Sequence, residues 1–508
     1  MNRTQYALKN ASTMLVTYIL TIGVSFVARS VFINQLGEQY LGLNGVFSSI
    51  LSFLSISDLG MESVFAFLLY KPLARNNYDL IRNYIGLFRK IYMFVGLFVF
   101  MSGILVLPFL PLIIGSQGTG LSNVTLIYLI MLVNSAASYF FTYNRTILNA
   151  NQKNYVITSV TFIMGISVNI LQIIFLYAID SMVVYVSLLL ISTIVTNIIL
   201  SRRVLKEYPF LKQLPSKTDL SVGEKKTLFQ NTIGGMSNKL GSIVVFASDN
   251  ILLSIFVNLS MVGVYSNYTM IMNSITGLIQ KVLGTITASV GNLSVESPNG
   301  GLRIFKKINF YITIIIFFGA PQLFSVLRPL VTIWVGEKFV LSQYIVLLIV
   351  INFVLQISRL PALTYIDAYG LQWIQKWKSV IEAFLNLLFS LVALKVFNLG
   401  LIGILLGTIC STVLFVSWYE PFIVMKHGFR LNRNQQLKQL SLILLEKMLV
   451  IFPTVLIWSI THYVHGEGIL FLFQLVIINF LISSVLFFLM FSRKKEFREL
   501  LVLVRKNK

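Results

Sequence analysis

The chain has 508 residues, of which 56% are hydrophobic and 11% are charged, and its formal net charge is +22. This composition excludes a nucleic-acid-binding protein, because so few charged residues leave no soluble basic domain. Cys410 is the one cysteine, which excludes a disulfide within the chain.

Fourteen long apolar segments follow one another along the chain. Most hold about 20 residues or more, and a helix of that length crosses a hydrocarbon core about 30 Å thick. The sequence therefore predicts an all-α polytopic membrane protein with 14 transmembrane helices. The segments lie near residues 11–35, 41–70, 87–114, 121–144, 155–178, 181–201, 228–256, 262–290, 308–333, 343–370, 377–395, 399–425, 441–461 and 468–491.

The basic residues alternate between the two sides of these segments. Of the 40 Lys and Arg residues, 32 fall in the termini and the even-numbered loops, and only Lys338 and Lys395 fall in odd-numbered loops. Short loops with this bias place both termini in the cytoplasm. Residues 493–508 alternate basic clusters with apolar residues, which indicates a helix on the inner membrane surface.

The two halves of the chain resemble each other. Residues 40–47 align with residues 261–268, and each of these stretches opens a segment from the outer side. Six segments separate the two copies, and because six is an even number both copies cross the membrane in the same direction. We therefore expect two six-helix lobes in parallel repeat plus two C-terminal helices. The predicted divisions are an N-terminal lobe at 1–201 (spans 1 to 6), a basic cytoplasmic linker at 202–227, a C-terminal lobe at 228–426 (spans 7 to 12), and spans 13 and 14 with a basic tail at 427–508.

Polar residues inside spans one, two, seven and eight are expected to face a wet cavity between the lobes. In span one they recur every fourth residue and form a stripe on one helix face. The alternative for each Ser or Thr is close helix packing with back-bonded hydroxyls. The predicted lining residues are Thr17, Thr21, Ser25, Asn44, Asn238, Ser242, Asn250 and Asn273.

Three cations inside the spans are candidate anion ligands, namely Arg29, Lys239 and Arg359. A charge at the bilayer centre costs about 2.5–3.5 kcal/mol on insertion scales, so such residues need a reason to be there. Guanidinium and ammonium groups suit phosphate oxygens. A structural counter-ion role is the alternative for each of them.

An acidic pair is a candidate gate or ion-coupling site. Asp58 and Glu62 are four residues apart and share a helix face. We expect this pair to meet Lys239 or Lys281 when the inner side is closed. The alternative is a set of unrelated local hydrogen bonds.

Catalytic motifs do not appear in the sequence, so an enzyme, a cofactor and a metal site are not expected. No HExxH, P-loop, GxSxG or Cys-based metal spacing is present. His462 and His465 are three residues apart, and such pairs are more often interfacial polar residues than metal ligands. No loop exceeds about 26 residues, which leaves no room for a catalytic domain outside the membrane.

Several stretches of the chain resemble bacterial polysaccharide flippases of the Wzx type. In the first half these are residues 36–45 (LGEQYLGLNG), 57–63 (SDLGMES) and 70–73 (YKPL). In the second half they are Ile381-Glu382-Ala383 with Asn386, Gly400-Leu401-Ile402-Gly403 through Gly407-Thr408, and Glu420-Pro421.

This resemblance implies a member of the multidrug/oligosaccharidyl-lipid/polysaccharide exporter superfamily in a bacterial plasma membrane. It implies that two lobes rock to move undecaprenyl-pyrophosphate-linked oligosaccharide outward, and that other glycan-assembly membrane proteins are candidate partners. Cationic cavity residues handle the pyrophosphate in relatives, a role that Arg29 and Lys239 would fill here. The first lobe lacks the arginine-rich cavity of lipid II flippases, which disfavours peptidoglycan precursor as the cargo.

Two rivals to a glycan-lipid flippase stay open at this point. A drug or organic-cation antiporter of the related multidrug fold needs a deep carboxylate, for which the sequence offers Asp58 and Asp249. A membrane polysaccharide polymerase or glycosyltransferase usually needs a long outer loop, and the outer loops here hold about ten residues or fewer.

Overall fold

The structure is a computed structural model and describes residues 3–55, 61–140, 142–213, 247–296, 298–461, 466 and 468–506. Helices make up nearly all of these residues, and no strand occurs among them. The predicted all-α class is confirmed. The chain divides into two compact units, Met1–Ser266 and Asn267–Lys508.

The first unit is built from nine helices in its described residues and from the start of a tenth. A 3₁₀ turn at Leu107–Phe109 joins the third helix to the fourth. The helices are α1 (Arg3–Leu54), α2 (Met61–Ala74), α3 (Tyr78–Val106), α4 (Leu110–Thr119), α5 (Val124–Tyr139), α6 (Arg145–Ala150), α7 (Asn154–Ile179), α8 (Met182–Glu207), α9 (Ala247–Phe256) and α10 (Leu259–Glu296).

The second unit holds the rest of α10 and eight further helices in its described residues. Two π-helical turns, Thr412–Val416 and Val424–Gly428, flank a short α-helix in this unit. The helices are α11 (Pro298–Val335), α12 (Gln343–Ala368), α13 (Lys376–Lys395), α14 (Leu401–Ser411), α15 (Ser417–Ile423), α16 (Arg433–Thr461), α17 (Gly468–Phe491) and α18 (Lys495–Lys506).

A kink at Gly37 divides α1 into two arms. Gly37 has φ +81° and ψ 179°, a backbone conformation that is open to glycine and costly for other residues. The arms before and after the kink cover the first predicted segment and the start of the second. The predicted outer turn near residues 36–40 is therefore made within one long helix.

Ten helices in the described residues are long and apolar enough to cross a membrane. They include the kinked helix from Asn10 to Leu54 and the broken helix from Tyr78 to Thr119. The protein is thus a multi-pass membrane protein. The count of 14 spans and the arrangement in two six-helix lobes remain predictions, and most of predicted span seven lies outside the described residues.

The units have separate apolar cores rich in aromatic residues. In the first, Phe65 stacks on Phe88 at 3.8 Å between ring centroids, and Tyr92 meets Phe65 edge-on. In the second, Phe305 of α11 meets Tyr365 of α12 edge-on at 5.0 Å. Aromatic pairs of this kind add about 0.5–1.5 kcal/mol to the free energy of apolar burial.

The basic C-terminal tail forms α18, which confirms the predicted helix. Glu499 of α18 forms ion pairs with Arg303 at 2.9 Å and with Lys307 at 2.7 Å, both on α11. These contacts fix the start of the tail helix to the basic end of α11.

The predicted lobe divisions stay predictions, and residues 214–227 of the linker lie outside the described residues.

Candidate functional site

Arg29 lies in the first arm of α1, partly buried, and its Nη1 donates a hydrogen bond to Ser266 Oγ of α10 at 3.1 Å. Ser266 Oγ in turn donates to the backbone oxygen of Gly263 at 2.7 Å. Tyr185 of α8 lies near the guanidinium. Among the described residues, no carboxylate lies within ion-pair distance of Arg29.

Arg29 is therefore surrounded by neutral groups, and among the described residues its positive charge has no counter-ion. A cation within a membrane helix is costly, and membrane proteins usually pair it with a carboxylate or place it beside water or an anionic ligand. The geometry leaves most of the guanidinium fork, which carries five N–H donors, available to such a ligand.

Asn250 joins α9 to the second arm of α1. Its Nδ2 donates to Ser49 Oγ at 2.9 Å, and Ser49 is buried. Asp249 precedes it, is 6% exposed, and acts electrostatically on Tyr265 of α10. This unit thus has polar side chains from α1, α9 and α10 in its interior.

The remaining predicted lining residues of α1 divide into two groups. Thr17 and Thr21 donate to the backbone oxygens of the residues four positions earlier, both at 2.7 Å. Such back-bonding is the packing alternative for these hydroxyls. Ser25 and Asn44 are partly buried.

Several predicted site residues cannot be placed from the structure. Lys239, Asn238, Ser242 and Asp58 lie outside the described residues, and so does the side chain of Glu62. Their roles as anion ligand, cavity lining and gate stay predictions. In the second unit, Asn273 is exposed on α10 and Lys281 is partly buried on the same helix.

Arg359 lies at the centre of a buried charge network in the second unit. Its Nη1 contacts Glu382 Oε1 of α13 at 2.9 Å, and its Nη2 contacts Glu420 Oε1 of α15 at 2.8 Å. Its Nε and Nη2 make further contacts, at 3.1 Å to Glu420 Oε2 and 3.3 Å to Glu382 Oε2. Both carboxylates are therefore held by two nitrogen–oxygen contacts.

Lys378 completes this network. Its Nζ lies 3.2 Å from Glu382 Oε2 and 2.8 Å from Glu420 Oε1. Two cations and two carboxylates alternate, so the formal charge of the network is zero. The side chain of Arg359 is 16% exposed, and those of the other three are 5% exposed or less.

This arrangement favours the structural counter-ion role for Arg359 over the role of an anion ligand. Two carboxylates already occupy its guanidinium donors, and an incoming phosphate would have to displace one of them. Breaking one partner out of a buried pair typically costs about 3–5 kcal/mol. Arg29, with no carboxylate partner among the described residues, is the better candidate ligand.

A polar stripe on α13 continues from the network. Lys378, Glu382, Asn386 and Ser390 recur every fourth residue and are buried, and α13 packs along α14. Asn386 Nδ2 donates to Thr408 Oγ1 of α14 at 2.9 Å. Gly407 lets Ser390 approach, since a Cβ on Gly407 would lie 2.7 Å from the backbone nitrogen of Ser390.

The π-helical turns lie on either side of Glu420 and Pro421. Proline inside a helix removes one backbone hydrogen bond and crowds the preceding turn, and a π turn is one way in which a helix accommodates such a change. π-Helical turns are frequent at functional sites. Between them, the completely buried side chain of Glu420 contacts Arg359 and Lys378.

Sequence reasoning missed Lys378 as a member of this network. The short segment containing it reads as a cytoplasmic loop, which makes Lys378 a topology-determining charge, whereas the structure buries it in the first turn of α13. The available signal was its spacing of four residues from Glu382 and of eight from Asn386. That spacing puts the three side chains on one helix face.

In the described part of the chain, no group of three or more His, Cys, Asp or Glu side chains lies close enough together to hold a metal ion. His462 and His465 lie outside the described residues.

Solved transporter structures share this architecture over most of the chain. The lipid II flippase MurJ in an inward closed conformation is 14% identical, with a TM-score of 0.64 over 94% of this chain and 99% of that one. An inward-facing multidrug resistance MATE family transporter of the MOP superfamily is 13% identical, with a TM-score of 0.52 over 86% and 98%. A mutant of the Vibrio cholerae MATE transporter VcmN is 16% identical, with a TM-score of 0.54 over 84% and 98%.

The chain has the fold of these transporters. No protein-family profile matches it. An uncharacterized membrane protein of Methanocaldococcus jannaschii is 25% identical over 287 residues, which are 53% of this chain and 55% of that protein. The chain thus spans about half the length of that relative, whose name assigns no activity.

Proposed function

We propose that the protein exports lipid-linked oligosaccharide, carried on undecaprenyl pyrophosphate, from the inner to the outer leaflet by alternating access. The product would enter capsule, exopolysaccharide or a related cell-envelope glycan. The observation that carries this proposal is Arg29, a cation inside an apolar helix whose partners in the described residues are neutral. The fold shared with a lipid flippase supports it.

Arg29 is proposed as the ligand of the pyrophosphate group. A guanidinium forms paired, charge-assisted hydrogen bonds with phosphate oxygens, and these are about twice as strong as neutral hydrogen bonds. Lys239, assigned from the sequence alone, is the proposed second ligand. A neutral drug or a cation would gain nothing from such a site.

The membrane potential supplies a driving force for this direction of transport. A pyrophosphate with about two negative charges gains roughly 4.6 kcal/mol when it moves outward across an inside-negative potential of 100 mV. If transport in proteoliposomes did not respond to an imposed potential, coupling to protons or sodium through Asp58 and Glu62 would replace this scheme.

The experiment is flipping of a fluorescent undecaprenyl-pyrophosphate oligosaccharide in proteoliposomes, with lipid II as a second cargo. We expect Arg29→Gln to lower the rate by about tenfold or more, corresponding to the loss of one charge-assisted hydrogen-bond pair. Arg29→Lys should retain part of the rate. Lys395→Gln, which removes an exposed cation from a predicted outer loop, is the matched control and should transport normally.

Wild-type rates for Arg29→Gln would reject Arg29 as the ligand. Transport of lipid II alone would retain a flippase but reject the oligosaccharide cargo.

A drug or organic-cation antiporter is the second candidate function. Asp249 favours it, because a buried carboxylate on α9 beside Tyr265 of α10 suits a cationic ligand, and solved MATE transporters share the fold. Ethidium efflux from cells that express the wild type or Asp249→Asn discriminates between the two functions. Efflux that requires Asp249, without oligosaccharide flipping, would replace the flippase.

A further inference from the structure

A basic cavity of about 730 Å³ lies in the first unit, away from Arg29. Residues of α3, the turn before α6, α8 and the 3₁₀ turn Pro209–Lys212 line it. These elements carry the basic loops that the charge pattern assigns to the cytoplasmic side. The cavity thus opens where the inner-leaflet headgroups are expected.

Among the described residues, four cations line this cavity and no acidic residue does: Arg82, Arg89, Lys90 and Lys212. Arg82 is paired with Asp79 and with Gln213. In the described part of the chain, no carboxylate lies within ion-pair distance of the other three. Three positive charges around one cavity, without a carboxylate partner in the described residues, favour an anionic occupant.

The floor of the cavity is polar and ordered. Asn144 and Ser201 line it, both are buried, and Asn144 Nδ2 donates to Ser201 Oγ at 2.8 Å. The Nε atom of Arg82 is buried without a hydrogen-bond partner. The cavity therefore keeps hydrogen-bonding capacity beyond its net charge.

One wall is apolar and leads toward the lipid. Met93 of α3 lines the cavity and is 44% exposed, and Phe94 and Leu97 beside it on α3 are 71% and 54% exposed. Apolar side chains this exposed on a membrane-spanning helix are suited to acyl chains. A soluble anion would make no use of this wall, whereas a phospholipid would use both it and the cations.

We propose that this cavity binds the phosphate headgroup of an anionic phospholipid of the inner leaflet. Arg89, Lys90 and Lys212 contact the phosphate, and the acyl chains lie along the face of α3 that carries Met93 and Leu97. Basic pockets between membrane helices on the cytoplasmic side are suited to such headgroups. The site is separate from Arg29 and does not depend on the transported cargo.

The test is native mass spectrometry of the full-length protein titrated with phosphatidylglycerol, with phosphatidylcholine and inorganic phosphate as separate arms. The variant Arg89→Gln/Lys90→Gln removes two exposed cations, and Arg433→Gln/Lys438→Gln removes two exposed cations of α16 as the matched control. We expect the first variant to weaken phosphatidylglycerol binding about 25-fold, which is about fivefold for each cation, and the control variant to change it less than twofold.

Equal losses in both double variants would overturn the proposal, because they would indicate general attraction to a basic surface. Unchanged binding in Arg89→Gln/Lys90→Gln would overturn it as well. Inorganic phosphate bound as tightly as phosphatidylglycerol would assign the cavity to a soluble anion instead. Thermal unfolding of each variant, expected to match the wild type, shows that a loss of binding is not a loss of folding.

Discussion

Gly42 and Gly263 lie at matching positions of the aligned stretches 40–47 and 261–268, and each packs against the helix of the other. A Cβ on Gly42 would overlap the backbone oxygen of Leu259 and lie 2.9 Å from its carbonyl carbon. A Cβ on Gly263 would overlap the backbone oxygen of Glu38 and lie 3.1 Å from the Gly42 nitrogen. The similarity of residues 40–47 and 261–268 therefore has a structural cause, because both helices need glycine where their backbones meet.

Alanine at this crossing should destabilise the protein. Gly42→Ala or Gly263→Ala forces the backbones of α1 and α10 apart, and overpacking of this kind costs about 1–3 kcal/mol. We expect a lower midpoint of thermal unfolding in detergent for both variants. Gly23→Ala, also in α1 but with nothing within 4 Å of the added Cβ, is the control and should be neutral or slightly stabilising.

Loss of one carboxylate from the network should be costly. Glu420→Gln leaves Arg359 and Lys378 with a single carboxylate between them, and we expect a loss of about 3–5 kcal/mol in the free energy of unfolding. Asp79→Asn breaks an exposed ion pair with Arg82 and should cost about 1 kcal/mol or less. Equal effects in urea or thermal unfolding would contradict the structural role of the network.

The hydrogen bond between Asn250 and Ser49 should be measurable as a coupling. Asn250→Ala and Ser49→Ala are each expected to destabilise by about 1 kcal/mol, and the double variant by less than the sum. A double-mutant cycle on thermal unfolding provides the coupling energy. Additive effects would indicate that the two side chains do not interact in solution.

The docking of α18 should depend on acidic pH. Hydrogen bonds from Lys307 and Arg303 hold the pKa of the Glu499 carboxyl below its usual value. A lowered folded-state pKa stabilises the docked helix above the pKa of the free carboxyl, about 4.3, and this stabilisation is lost as the pH falls through the folded-state value.

The backbone amides of α18 should therefore be protected from hydrogen exchange at pH 7, compared with those of an undocked helix. This protection should be lost below about pH 4. In Glu499→Gln, the amides of α18 should exchange fast even at pH 7. Unchanged protection in that variant would mean that apolar contacts alone hold the helix.

Hydropathy predicted the helices well because each membrane helix satisfies its own backbone hydrogen bonds, so that length and apolarity suffice to identify it. The predicted segments near 155–178, 343–370 and 377–395 closely match α7, α12 and α13. The charge pattern was less reliable for single residues. Lys378 reads as a loop charge, yet it is buried, and the carboxylates of Glu382 and Glu420 compensate its charge.

The candidate site could be predicted only in part. Arg29 was identified from its position in an apolar segment, and its neutral surroundings in the described residues agree with an anion ligand. Arg359 looked the same in the sequence. Its partners Glu382 and Glu420 come from other helices, 23 and 61 positions away, and no local pattern reveals which carboxylates will meet it.

Gly37 is the joint between the two arms of α1. Hydrogen-bonded turns run through α1 on both sides of it, so any change in the angle between the arms must be taken up by the two dihedrals of this residue. A side chain at position 37 would both restrict and strain this backbone. Gly37 is therefore the point at which the two arms of α1 are free to bend relative to each other.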